Sequence, residues 1–322
     1  MNPSNQIKLE ITQEDLLNHK RLDNFLSESL SDYSRTLIKK FFEEGSFTSD
    51  YKIELKKMPP LGTIIYFKKP EIATTEIIAE NIPLDILFED EYLMIINKSA
   101  GLVVHPAPGN YTGTLVNAIL FHCHDLAGIG NEKRPGIVHR LDKGTSGVMV
   151  VAKEQKAHEG LVNLFSTHSI DRKYEAICLG SRIPSEYKME SLIGRNQNNR
   201  LKMTTKVPQG KTAITNMKVI DYFTYFSHIE LTLHTGRTHQ IRVHMNEILN
   251  APLLNDLTYG REKEEKKIMS TAMKGILAHY EHPFLHAKRL GFIHPITQEN
   301  LVFETPPPQI FTDILNQLRL ER

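Results

Sequence analysis

One stretch of the sequence could hold a reacting carboxylate. It reads Arg134-Pro135-Gly136-Ile137-Val138-His139-Arg140-Leu141-Asp142-Lys143-Gly144-Thr145-Ser146-Gly147, then the apolar Val148-Met149-Val150-Val151-Ala152. Cations close to a carboxylate favour its charged form, which suits a nucleophile or a general base. Glycines at 136, 144 and 147 permit sharp turns, so Asp142 can project from the end of a strand. A surface turn with a local ion pair has the same composition, and spacing alone leaves both readings open.

A second constellation lies at Gly236-Arg237-Thr238-His239-Gln240-Ile241-Arg242-Val243-His244. Before it, Ile229, Leu231 and Leu233 alternate with Glu230, Thr232 and His234, the pattern of a strand that Gly236 breaks. After it, Ile241, Met245, Ile248 and Leu249 recur at helical spacing, with Thr238 placed to cap the helix. His239, Arg242 and Asn246 then share one face. His234, His239 and His244 raise the possibility of zinc, but neither an H-E-x-x-H spacing nor a cysteine cluster supports it. Tyr174 opens a strand on which Ala176 and Cys178 share its face; a half-buried packing residue is the plain reading of such a tyrosine. From Arg195 to Lys218 the cations Arg195, Arg200, Lys202, Lys206, Lys211 and Lys218 occur with no carboxylate between them. Turn residues at Asn196–Asn199 and Pro208–Gly210 make this one or two hairpins, whose basic surface suits phosphate contacts.

These groups need elements to position them, and the pattern predicts a mixed α+β chain. Leu22, Phe25, Leu26 and Leu30 mark a short helix, and Ser34 caps a second whose apolar face is Leu37, Ile38, Phe41 and Phe42. On that second helix Arg35 and Lys39 fall one turn apart, a basic edge open to phosphates. Gly45 ends it, Phe47, Tyr51, Ile53 and Leu55 alternate as a strand, and Ile64–Phe67 supplies another. Residues 71–91 carry seven carboxylates and no lysine or arginine, so the segment would face away from any polyanion or link two domains. The expected organisation is a tail over 1–18, a small module over 19–80 with an acidic link to about 91, and a larger domain over 82–322. In the latter, Tyr92–Lys98 reads as a buried strand, and Leu115, Leu161 and Ile310 begin apolar helical patterns. The formal net charge over 322 residues is only +1, so any nucleic-acid binding rests on local patches. Two cysteines give no disulfide framework, no run reaches membrane-spanning length, and no P-loop or GxGxxG is present. A cytoplasmic protein with no membrane contact is the expectation.

The run His139–Gly147 resembles the HRLDxxTSG signature of the RluA family of RNA pseudouridine synthases, with every defining position present. The resemblance extends from about Lys20 to about Leu318, through Asn97–Pro106, Gly236–His244, Pro252–Gly260 and His286–Pro295. It departs at Ser99, where proline is usual, and at Asn255, where glycine is usual. Membership implies a mainly antiparallel curved mixed sheet flanked by helices, and an isomerisation that needs no cofactor and no metal. Asp142 would act on the sugar or the base, with Arg242 rather than Arg140 or Lys143 as its partner. Tyr174 would lie against the target base, and Arg140 would fill the vacated stack or hold the flipped nucleotide. The first eighty residues resemble an S4 RNA-binding module, strongest at Arg21–Asp23 and Asp32–Arg35 and weakest at Thr48–Asp50. The basic edge of Arg35 and Lys39 and the carboxylate-free stretch with Arg195, Arg200 and Lys202 are then the candidate RNA contacts. The likeness is greatest to the RluD-type branch, which implies large-subunit ribosomal RNA as partner; a monomer is the expected state. Transfer RNA as substrate, or an RNA-binding assembly factor on the same fold, stays open at this point.

Overall fold

In the computed structural model of the chain, residues 6–31, 33–68, 77–106, 110–123, 126, 128–131 and 134–322 are described. Asp32, Glu71 and Glu76 lie outside these residues. The chain divides into two compact units, Met1–Glu76 and Ile77–Arg322.

The first unit contains β1 (Gln6–Glu10), α1 (Gln13–Asn18), α2 (Leu22–Ser29), α3 (Arg35–Glu43), β2 (Phe47–Ser49) and β3 (Ile64–Lys68). Leu22, Phe25, Leu26, Ile38 and Phe41 bring α2 and α3 together over Ile65 and Phe67 of the central strand β3. Ser34 caps α3 by accepting the Leu37 N–H at 3.4 Å. Two expectations are corrected here. Residues 6–18 are not a tail: β1 pairs with β3 along its whole length, and Thr12 and Asp15 form a capping box that starts α1. The strand expected through Leu55 stops at Ser49; Ile53 and Leu55 pack on the same core from irregular chain.

The second unit runs through β4 (Ile86–Glu89), β5 (Leu93–Lys98), α4 (Leu115–His122), β6 (Gly130–Asn131), β7 (Arg134–Pro135), β8 (Ser146–Ala152) and α5 (Gln155–Ser166). It continues with β9 (Asp171–Leu179), β10 (Glu186–Arg195), β11 (Met203–Thr204), β12 (Lys211–Tyr222), β13 (Phe226–Leu233) and α6 (Gln240–Glu247). It closes with α7 (Glu262–Ile268), α8 (Thr271–Leu277), β14 (Leu285–Ile293), β15 (Asn300–Glu304) and α9 (Gln309–Leu320). Among the described residues, ten strands form one sheet in the order β11-β10-β12-β13-β9-β14-β8-β5-β4, with β15 beside β14. Its neighbours are antiparallel except β14 and β8. Strand β8 is buried at every position because both faces of the sheet are covered there. Met149 and Val151 point to one face with Tyr174, Ala176, Ile229, Leu231 and Ile241. Val148 and Val150 point to the other with Leu93, Ile95 and Leu161. Helix α6 thus packs on the face that carries Tyr174.

The acidic link is a further correction, since residues 77–91 belong to this unit. Glu80 accepts the Gly113 N–H at 3.0 Å, Asp85 accepts from the Asn97 amide at 2.9 Å, and Glu89 meets Lys153 at 2.6 Å. These carboxylates are committed to the fold.

Gly147 is the residue that lets β8 and β14 run side by side. Its φ is +115°, and a Cβ there would lie 2.2 Å from the Ala287 carbonyl oxygen. Because the obstacle is backbone of the paired strand, Gly147→Ala should destabilise the unit by roughly 3 kcal/mol. A thermal melt tests this; an unchanged midpoint would contradict the account of the glycine.

Candidate active site

Asp142 sits on the turn just before β8, and the turn is pinned from beneath. Lys98, 1% exposed, donates through Nζ to the carbonyls of Ser99 (2.8 Å), Leu102 (2.9 Å) and Lys143 (3.3 Å). The Gly101 N–H donates to the same Lys143 carbonyl at 2.8 Å. Burial pushes the Lys98 pKa down to about 7, against the opposing pull of the Asp142 charge. On the approach to the turn, Gly136 has φ +71°, and a Cβ there would lie 2.4 Å from the Ala152 carbonyl oxygen. His139 turns inward, accepting the Val150 N–H at 3.1 Å and stacking on Phe165 with centroids 4.5 Å apart. Burial, with Arg172 adding to it, pushes the His139 pKa down to about 3, so the ring is a neutral acceptor. Leu141 is buried, which leaves Arg140 exposed and Asp142 facing the cleft.

Arg242 comes from α6 on the far side of the cleft. His239, with φ 57°, is the N-cap of that helix; Thr238, the residue expected there, is not. The guanidinium approaches Asp142 with one corner, Nη1 lying 3.4 Å from Oδ2. Its main partner is a residue to which the sequence reading gave no role. Asp256 takes Nε on Oδ2 and Nη2 on Oδ1, both at 2.7 Å, a bidentate pair with side chains 9% and 0% exposed. Oδ1 of Asp256 also accepts the N–H groups of Thr258 (2.9 Å) and Tyr259 (3.0 Å). The Tyr259 ring lies 5.0 Å from the Arg242 guanidinium carbon. Burial opposes the Arg242 charge, but hydrogen bonds and charge from Asp256, with Asp142, raise its pKa above that of a free guanidinium. The only sequence signal for Asp256 and Tyr259 was the family-like loop that contains them.

Tyr174 lines the same cleft, on the β9 strand between Leu231 and Ala287. Its pKa is raised by burial, with Arg172 opposing and Asp142 adding to the rise. Arg172, also unassigned from sequence, is buried beside it, with Nη2 3.2 Å from the His234 carbonyl and Nε unpaired among the described residues. The cleft has a volume of about 610 Å³. Its described walls include Arg134, Arg140, Arg172, Arg237 and Arg242, and Asp142 is their single carboxylate. With Arg242 balanced by Asp256, four further guanidinium groups face one carboxylate, which suits a polyanion.

Three other candidates of this unit do not line the cleft. Arg195 ends β10, and Arg200 and Lys202 lie in the turn to β11, where Arg195 Nη1 donates to the Arg200 carbonyl at 3.1 Å. Lys202 reaches toward the site through Tyr259, its Nζ 5.7 Å from the ring centroid. In the first unit, Arg35 shares Asp23 with Arg21 at 2.9 Å, and Lys39 faces Glu43 at 3.7 Å. That edge is therefore partly neutralised. His234, His239 and His244 have separate partners in Asn216, Tyr259 and Ser191 and make no metal cluster. Glu89, His122 and Cys123 do lie together, but Lys153 sits on the carboxylate and a divalent ion would have to displace it.

Comparison with known proteins decides the family. The family described as RNA pseudouridylate synthase matches residues 92–247. An uncharacterized RNA pseudouridine synthase of Bacillus subtilis, YlyB, is 39% identical over 97% of this chain and 98% of its own length. The chain belongs to the RluA family of RNA pseudouridine synthases. The ribosomal large subunit pseudouridine synthase D of Neisseria meningitidis serogroup B is 42% identical over 94% of this chain and 79% of its own. The solved structure of human RNA pseudouridylate synthase domain containing 4 shares 27% identity, covering 73% of this chain and 92% of that one at a TM-score of 0.58. The fold is accordingly that of a pseudouridine synthase, and the chain is an isomerase. Among the described residues no helix is long and apolar enough to cross a membrane.

Proposed function

We propose that this pseudouridine synthase modifies uridines of large-subunit ribosomal RNA, using Asp142 as the reacting carboxylate. The substrate reading is supported by the names of the large-subunit relatives, which align over nearly the whole chain. The reaction breaks the bond from N1 of uracil to C1′, turns the base and joins C5 to C1′. The proton lost from C5 is balanced by one gained at N1, so no co-reactant enters. The observation that carries the assignment is the single carboxylate among the described residues of an arginine-lined cleft, with Tyr174 beside it and Arg242 at its Oδ2. Asp142 acts on the sugar or the base as nucleophile or base, Arg242 keeps it oriented, and Tyr174 lies along the uracil ring. Arg140, exposed and without an ion pair among the described residues, fills the stack that the extruded base leaves. Extrusion costs roughly a few kcal/mol, which phosphate contacts around the cleft offset.

The first unit acts as an S4-like RNA-binding module in this reading, with Arg35 and Lys39 toward phosphates and Arg195, Arg200 and Lys202 extending the basic surface of the second unit. Mapping pseudouridines in total RNA from cells with and without the chain tests the substrate. Sites should vanish from large-subunit RNA when the chain is absent. Loss confined to transfer RNA would overturn the choice.

A further inference from the structure

We propose that His239 is a positioning residue, whose Nε2–H holds Oδ2 of Asp142 when RNA fills the cleft and so leaves Oδ1 as the oxygen that reacts. The inference rests on Asp142 being the reacting carboxylate. It follows from where protons must be. The Tyr259 hydroxyl accepts the Met203 N–H at 2.7 Å and lies 2.8 Å from His239 Nδ1. In the proposed arrangement the phenol, its oxygen already accepting from Met203, gives its one proton to Nδ1. Nδ1 is then an acceptor, and a neutral imidazole in that state carries its hydrogen on Nε2. Nε2 lies 3.9 Å from Asp142 Oδ2, the oxygen that Arg242 also approaches at 3.4 Å. Both distances exceed a good hydrogen bond, and a movement of about 1 Å brings His239 into range. The facing charges are Asp142, Arg140, Arg242 and Asp256. Burial lowers the imidazole pKa, Asp142 and Asp256 oppose this, and Arg242 and Arg140 reinforce it.

The backbone gives an independent reason to single out this side chain. His239 adopts φ 57°, in the left-handed region that costs a residue with a Cβ, where glycine would meet no such cost. Its side chain also makes no capping bond to α6, so the helix gains nothing from the imidazole.

Two substitutions separate the ring nitrogens. His239→Asn keeps a polar atom near the place of Nδ1, toward Tyr259, and has nothing at Nε2. His239→Gln places an amide donor near the place of Nε2. With unmodified total RNA from cells lacking the chain as substrate, the position of the product reports the RNA class. The relative single-turnover rates report the role of His239. His239→Asn should slow conversion roughly 30-fold, with RNA affinity unchanged, and His239→Gln should restore most of the rate. Equal rates for the two variants, whether both near wild type or both slow, would overturn the proposal, as would a slow His239→Asn whose deficit lies in RNA affinity.

Discussion

Asp142→Asn should abolish pseudouridine formation, by at least about 10⁴-fold, while RNA affinity stays close to wild type. The substitution keeps the shape of the side chain and removes its charge and nucleophilicity. Folding should survive for a reason visible in the pairing. Arg242 keeps both hydrogen bonds to Asp256, so losing the Asp142 charge does not leave a buried cation alone. The turn itself is held by backbone, through the Lys143 carbonyl with Lys98 and Gly101 and the Asp142 carbonyl with the Thr145 N–H at 3.0 Å. Lys98 would be the group to respond: without the Asp142 charge, burial acts on it with less opposition and its pKa falls further below about 7. Mass spectrometry of RNA after single-turnover incubation reads the chemistry, and filter binding reads the affinity. Near-normal conversion by Asp142→Asn would end the assignment of the carboxylate.

Much of this site can be read from the chain because local patterns dictate the elements that hold it. The apolar run after Gly147 is continuous, as a strand covered on both faces must be, and β8 is that strand. Ile229, Leu231 and Leu233 alternate because only one face of β13 meets the core shared with Tyr174. The misses are pairings between distant segments. Nothing in composition tells whether a carboxylate is spent on the fold: the acidic run 71–91 reads as a link, whereas Glu80 and Glu89 hold Gly113, His122 and Lys153. The short β1 carries only Ile7 and Leu9 as apolar positions, too few to mark a strand before β3 supplies its partner. Asn255 is more instructive. It departs from the glycine usual in the family, yet its φ is 59°, a left-handed geometry that asparagine tolerates better than most residues. Its amide also donates to the carbonyls of Tyr280 (2.7 Å) and His282 (3.1 Å), contacts that glycine cannot make. The departure therefore preserves the bend that places Asp256 under Arg242.

Removing that support is the second large effect. Asp256→Ala should destabilise the protein by roughly 3–5 kcal/mol, because it strands a buried guanidinium whose two best hydrogen bonds go to Asp256. The N–H groups of Thr258 and Tyr259 lose their acceptor at the same time. Catalysis should fall on the order of 10²-fold in the folded fraction. An Arg242 released from Asp256 is free to turn more of its fork onto Asp142, where it would occupy the oxygen needed for reaction. Stability and chemistry can be separated by a second variant, Arg242→Met with Asp256→Leu. Replacing both charges with apolar side chains removes the stranded cation, so the thermal midpoint should recover much of its loss. Conversion should remain low, since no cation then orients Asp142. If the double variant regained wild-type rates, the pairing would be a device of folding alone, and Asp142 would need its orientation from His239 or from the turn itself.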